Sequence, residues 1–149
     1  ELSNPQAVEF GLPAVPEYLA DDGGDADYPL SLITPHSKLR SNSCVHANPW
    51  LQETEPHRIW LNPDDAAARG IADGDPVEAF SPQGTIALPA KVTERIAPGA
   101  VCVYQGTWYA PGPDGVDRGG CANTLTDHRL TATGGFTTHS SRVQVRRAS

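Results

Sequence analysis

Six short runs of β-forming residues, separated by turn and capping signals, constrain this chain more than any other feature. They are Leu30–Thr34, stopped by Pro35, then Arg58–Leu61, Pro76–Phe80, Thr85–Val92, Val101–Tyr104 and Val143–Val145. Gly or Pro punctuates most of the joins, as at Gly74-Asp75 and Pro82-Gln83-Gly84. Short strands at this spacing have edges that must be paired or covered, and closure into a barrel removes them. The 14 glycines and 14 prolines among 149 residues fit the same turn-rich, mainly β domain rather than a helical bundle.

One helix interrupts the series. Asn62 is placed to cap it, Pro63 suits its first position, and Asp64 and Asp65 complement the positive end of its dipole. Ala66 to Arg69 carry the turns and Gly70 ends them, which predicts a two-turn helix. A short echo, Ile71-Ala72-Asp73-Gly74 before Val77 and Ile96-Ala97-Pro98-Gly99 before Val101, is what a barrel of two interlocked halves produces.

Charge separates the first 27 residues from the rest. Glu1, Glu9, Glu17, Asp21, Asp22, Asp25 and Asp27 stand there without a Lys or Arg, whereas the remainder balances eleven acids against eleven bases. Residues 1–27 therefore read as an extended acidic lead-in that runs over some other surface, with Val8-Glu9-Phe10 as a short edge strand, and residues 28–149 as the barrel domain. The chain contains no Met, so its first residue is expected to result from trimming. A basic face for nucleic acid is absent, and no apolar run reaches the ~20 residues of a membrane span. Direct membrane insertion is therefore not expected of this soluble domain. Cys44, Cys102 and Cys121 are odd in number and far apart, and are expected to be free thiols packed as small apolar groups.

Neither a nucleophile elbow nor a zinc-protease motif is present, and His36, His46, His57, His128 and His139 have the spacing of neither a zinc finger nor a metal-binding helix. No catalytic residue and no metal ligand is assigned. The usual glycine-rich ATP and NAD loops are missing too. What remains is a set of polar loops. Thr34 to Ser43 offers hydroxyls, Lys38, Arg40 and His36 without a carboxylate, a donor set suited to a diphosphate, although it also fits a solvated loop. Gln105-Gly106-Thr107-Trp108 presents an indole that either stacks on a flat heterocycle or fills the core. Asn123, after Gly119 and Gly120, can donate and accept at the edge of a pterin or purine, and the glycines would let the backbone approach such a ring. A possible helix start covers residues 123–127, with Thr126 capping. The stretch from Tyr109 to Thr138, long and glycine-rich, is expected to be functional or disordered.

Taken in order, LSLITPHSKLRSNS (30–43), NPDDAAARGIADGDPV (62–77), IAPGAVCVYQGTW (96–108) and GCANTLTD (120–127) resemble the successive blocks of the molybdopterin dinucleotide-binding domain that ends the large subunit of dimethyl sulfoxide reductase-like enzymes. The resemblance covers residues 28–147, and the lead-in is similar as well. It implies a six-stranded double-psi β-barrel with short helices and long cofactor-facing loops. It further implies that Thr34, His36, Arg40 and Ser43 meet the cofactor and that Gln105, Gly106 and Trp108 line its approach. Asn123 would hydrogen-bond a pterin, Thr126 would support that loop, and His139 would face the cofactor. Asn42 stands where the family often has His, which removes a possible charge from that contact.

The implied cofactor is the guanine dinucleotide form, a molybdenum bis(molybdopterin guanine dinucleotide), in a longer parent whose iron–sulfur cluster lies elsewhere. The implied partners are the remaining domains of the catalytic chain, an iron–sulfur electron-transfer subunit and a membrane-anchor subunit, with the parent membrane-associated or periplasmic. This polypeptide alone is expected to be inactive. The competing reading is a non-enzymatic double-psi barrel that grips a protein partner, which requires an exposed apolar groove and no use for residues 119–127. A small decarboxylase on the same barrel would need a self-processing Gly-Ser pair, which this sequence lacks.

Overall fold

The computed structural model describes residues 5–13, 15, 17–18, 26–131 and 134–148. Strands β1 (Leu30–Ile33), β2 (Ile59–Leu61), β3 (Pro76–Ser81), β4 (Gly84–Val92), β5 (Ala100–Cys102) and β6 (Arg142–Arg147) match the six runs read from the sequence to within a residue or two. They close into one barrel in the order β1-β5-β2-β4-β3-β6. β1 pairs parallel to β5 and β2 parallel to β4, while β1–β6, β2–β5, β3–β4 and β3–β6 are antiparallel. This is the six-stranded double-psi β-barrel that the resemblance implied.

Closure follows from side-chain alternation. Leu32, Ile59, Leu61, Val77, Ile86, Val101, Val143 and Val145 point inward and are at most 2% exposed, so each strand contributes its alternate residues to one shared core. The echoed turns are geometric equivalents: Ile71 and Ile96 are both 6% exposed, and Gly74 and Gly99 both have positive φ.

Three α-helices flank the barrel among the described residues: α1 (Pro5–Glu9), α2 (Pro49–Thr54) and α3 (Pro63–Ala67). In α3 the Asn62 side chain accepts from the Asp64 N–H at 3.0 Å, the expected cap, and Gly70 (φ 63°) redirects the chain. The regular helix spans five residues, shorter than two turns. Helix α2 was not expected, yet it starts the same way, with Asn48 capping and Pro49 at the first position. Val8 and Glu9 lie in α1 and Phe10 in the turn after it rather than in an edge strand, so that expectation is corrected: local helical bonds such as Phe10 N–H to the Gln6 carbonyl satisfy the backbone instead. The acid cluster at 21, 22 and 25 lies outside the described residues. Among those described, no helix is long and apolar enough to cross a membrane.

Candidate cofactor site at one mouth of the barrel

The parallel β1–β5 pairing positions the site. Its ladder runs past the strands, with Val103 N–H bonding the Ile33 carbonyl and Gln105 N–H the Pro35 carbonyl, both at 3.1 Å. The loops that leave β1 and β5 are thereby held side by side. They meet at Gly106, which has φ 86°, and a Cβ there would lie 2.2 Å from the Asn42 carbonyl oxygen. Only glycine permits that approach.

A cavity of about 290 Å³ opens where they meet, lined by Asn42, Ser43, Gln105, Gly106, Cys121 and Asn123 among others. Asn123 also borders a second cavity of about 510 Å³ with Thr126, Asp127, His128, Phe136 and Thr138. Three separate stretches of sequence thus contribute amide, hydroxyl and backbone groups to one place. The first cavity has no carboxylate in its wall, so an anionic or hydrogen-bonding heterocycle meets donors without repulsion.

The expected site residues sit as follows. Ser43 and Asn123 are exposed, and Gln105 and Gly106 half-buried, all in the first cavity wall. His36 is tied to that wall, with the Gln105 amide nitrogen 2.7 Å from Nε2. Arg40 faces inward: its guanidinium donates to the Gly106 carbonyl at 3.2 Å and lies 3.0 Å from His46 Nδ1. It braces the junction of the two loops. Trp108 is 57% exposed with its ring 6.1 Å from that of His46, which removes the core alternative for this indole. Thr126 is buried and donates to the Asn123 carbonyl at 3.3 Å. Thr34 is buried as well and lines neither cavity. His139 is exposed in a 3-10 turn (Thr138–Ser140), one residue beyond Thr138.

Some expectations are corrected. The helical turn expected over residues 123–127 is a 3-10 helix over Ala122–Thr124, so it precedes Thr126 instead of being capped by it. Gly119 and Gly120 do not clear space for a ring. A Cβ on Gly119 would lie 1.9 Å from the Trp108 carbonyl oxygen, and one on Gly120 within 2.9 Å of His57 Nε2. They admit the protein's own atoms. Cys102 is buried as expected and burial pushes its thiol up to about 11, but Cys44 is exposed.

Sequence reasoning missed Asp117 and His57. Asp117 is fully buried and accepts hydrogen bonds from the loop around it. The available signal was an acid among small residues whose amides lack strand partners. Burial pushes the His57 imidazole from 6.5 down to about 4, with Arg40 and His46 acting in the same direction and the Gly120 carbonyl and Asp117 opposing. The folded value lies below the unfolded one, so the unfolded chain takes up the proton first as pH falls. Stability is therefore complete above about pH 6.5 and declines toward pH 4, by on the order of 3 kcal/mol. Thermal melts across that range are expected to show the decline in the native chain and a shallower one in His57→Gln.

The "Molydopterin dinucleotide binding domain" family model matches residues 30–141. The chain belongs to this family. It is 40% identical over 121 residues to "Dimethyl sulfoxide reductase DmsA" of Haemophilus influenzae, a match covering 80% of this chain and 15% of that protein. It is 41% identical over 128 residues to "Probable dimethyl sulfoxide reductase chain YnfF" of Escherichia coli, covering 84% of this chain and 16% of the relative. The chain thus spans about a sixth of the length of these relatives. Acetylene hydratase from Pelobacter acetylenicus has the same fold over 99% of this chain and 23% of its own, with a TM-score of 0.76 at 18% identity. This family domain is the molybdopterin dinucleotide-binding domain of dimethyl sulfoxide reductase-type molybdoenzymes, and the matched segment includes all four blocks and the cavity that three of them line.

Proposed function

We propose that the domain, residues 28–149, covers a molybdopterin guanine dinucleotide in a larger oxidoreductase related to anaerobic dimethyl sulfoxide reductase. Residues 1–27 would be the lead-in that lies on the rest of that enzyme. The observation that carries this reading is the meeting of Ser43, Gln105, Gly106 and Asn123 in one carboxylate-free cavity. Asn123, Gln105 and Ser43 would hold the heterocycle by donating and accepting hydrogen bonds. His36 and Trp108 would stand at its approach, and His139 beyond the second cavity. Thr34, Arg40 and Thr126 would act from behind, by shaping the loops. When bound, the cofactor supplies the metal-centred redox chemistry, and this chain's share is to bind it, orient it and exclude water.

The iron–sulfur cluster, the iron–sulfur subunit and the membrane anchor belong to the same proposal, as does a membrane-associated or periplasmic location of the parent. So does inactivity of this polypeptide by itself. The partner-binding alternative needs an apolar groove, whereas the first cavity is walled chiefly by three amide side chains, two hydroxyl residues and backbone. Asn123→Ala is expected to weaken binding of the guanine dinucleotide form of molybdopterin by roughly tenfold, the worth of one or two hydrogen bonds. Calorimetric titration of the 149-residue chain checks this, and an unchanged affinity would count against the cavity as the site.

A further inference from the structure

The backbone that carries Asn123 is gripped from two sides by side chains outside the cavity. On one side lies Asp117, which is 0% exposed. Its Oδ1 accepts the N–H of Ala110 at 2.8 Å and of Gly119 at 2.9 Å. Its Oδ2 accepts the N–H of Cys121 at 2.8 Å and the Thr124 hydroxyl at 3.1 Å. The backbone of Asp117 is itself bonded to β4, giving its N–H to the Thr85 carbonyl at 2.9 Å and accepting from Ala87 N–H at 3.0 Å. A carboxylate has no hydrogen to offer and lone pairs for all four donors, so it suits this position as no amide can.

On the other side the Gly120 carbonyl accepts from the Thr107 hydroxyl at 2.7 Å and lies 3.0 Å from His57 Nε2. A carbonyl only accepts, so Nε2 carries the hydrogen and Nδ1 the lone pair. Nδ1 is buried without a partner, as a neutral ring in that tautomer allows at least cost. Residues 119–121 are thus pinned to β4 through Asp117 and, through His57, to the segment that leads into β2. This fixes the 3-10 turn that presents Asn123.

We propose that Asp117 and His57 are positioning residues for cofactor binding, setting where Asn123 and the Cys121 edge of the cavity wall stand. This rests on reading that cavity as the cofactor site. Neither touches the cavity; both act through the Gly119–Cys121 backbone.

The test uses the 149-residue chain, amide exchange and titration with the guanine dinucleotide form of molybdopterin. In Asp117→Asn one oxygen becomes a donor facing donors. Exchange at Gly119 and Cys121 is expected to quicken at least about tenfold, and affinity to fall at least about tenfold, while Leu32 and Leu61 stay protected. His57→Phe is expected to lose about fivefold in affinity, and His57→Gln, which keeps a donor for Gly120, to recover most of it. Unchanged exchange at Gly119 and Cys121, or unchanged affinity in a folded Asp117→Asn, overturns the Asp117 assignment. If Asp117→Asn does not fold, the His57 pair decides, and equal affinities for Phe and Gln overturn the proposal. If the native chain fails to bind, the cavity reading falls, and the exchange data alone still decide whether the clamp exists.

Discussion

Gly106→Ala, at the glycine that lines the first cavity, is expected to damage both stability and binding. Two costs act together. The residue has φ 86°, and its new Cβ would lie 2.2 Å from the Asn42 carbonyl oxygen and 2.5 Å from its carbon. The first cost is conformational strain of about 1–2 kcal/mol. The second is a collision with backbone, which no rotamer relieves, so the loop from β1 must move away from the loop from β5. A total loss of about 3 kcal/mol or more is expected, together with a fall in cofactor affinity beyond tenfold. Gly115→Ala separates the two costs: Gly115 has φ 78° but nothing within 4 Å of the added carbon. It is expected to cost about 1 kcal/mol and leave binding intact. Denaturant unfolding and titration of both variants check the pair.

The second large effect concerns the barrel. Leu61 is 0% exposed on β2, which bonds to β4 on one side and β5 on the other. Leu61→Ala leaves a void that a closed barrel cannot collapse around, because every strand is held by two neighbours. A loss of about 2–5 kcal/mol is expected, lowering the melting temperature by roughly 10 °C. Trp60→Ala is an informative contrast on the same strand. Its ring faces outward against Tyr104 at 5.4 Å with Lys91 over it at 4.1 Å, so its loss removes surface contacts and a cation–π contribution of about 0.5–1 kcal/mol rather than core.

How the site was assembled explains what could be read in advance. Strands were legible because alternation and turn residues are local signals. The Asn62 cap was legible because the residues it joins are adjacent in sequence. The same Asn-Pro pair at Asn48-Pro49 is a weaker signal in the sequence, because Trp50 and Leu51 follow it where Asp64 and Asp65 follow Pro63. Arg40 shows the opposite limit. Its charge and neighbours fit an anion, but its partner, the Gly106 carbonyl, lies on another loop, and only the β1–β5 pairing puts the two within reach. Asp117 and His57 were illegible for the same reason: one buried carboxylate in a glycine-rich stretch, and one His among five, acquire their roles through contacts that the fold creates. The glycine pair at 119 and 120 signals a close approach, and the atoms that approach are those of Trp108, Leu88 and His57 rather than a ligand's. Steric need is visible in sequence, but the object approached is not.

All of these effects depend on loops from three stretches of sequence meeting at one mouth of a closed barrel to hold one flat, diphosphate-bearing ligand. The most direct measurement is a map of amide shifts in the isotope-labelled chain as the guanine dinucleotide form of molybdopterin is added. Ser43, Gln105, Gly106 and Asn123 are expected to shift together, along one saturation curve. Shifts confined to the groove around Trp60, Lys91 and Arg95 on the β2–β4 side, with those four amides still, would contradict it.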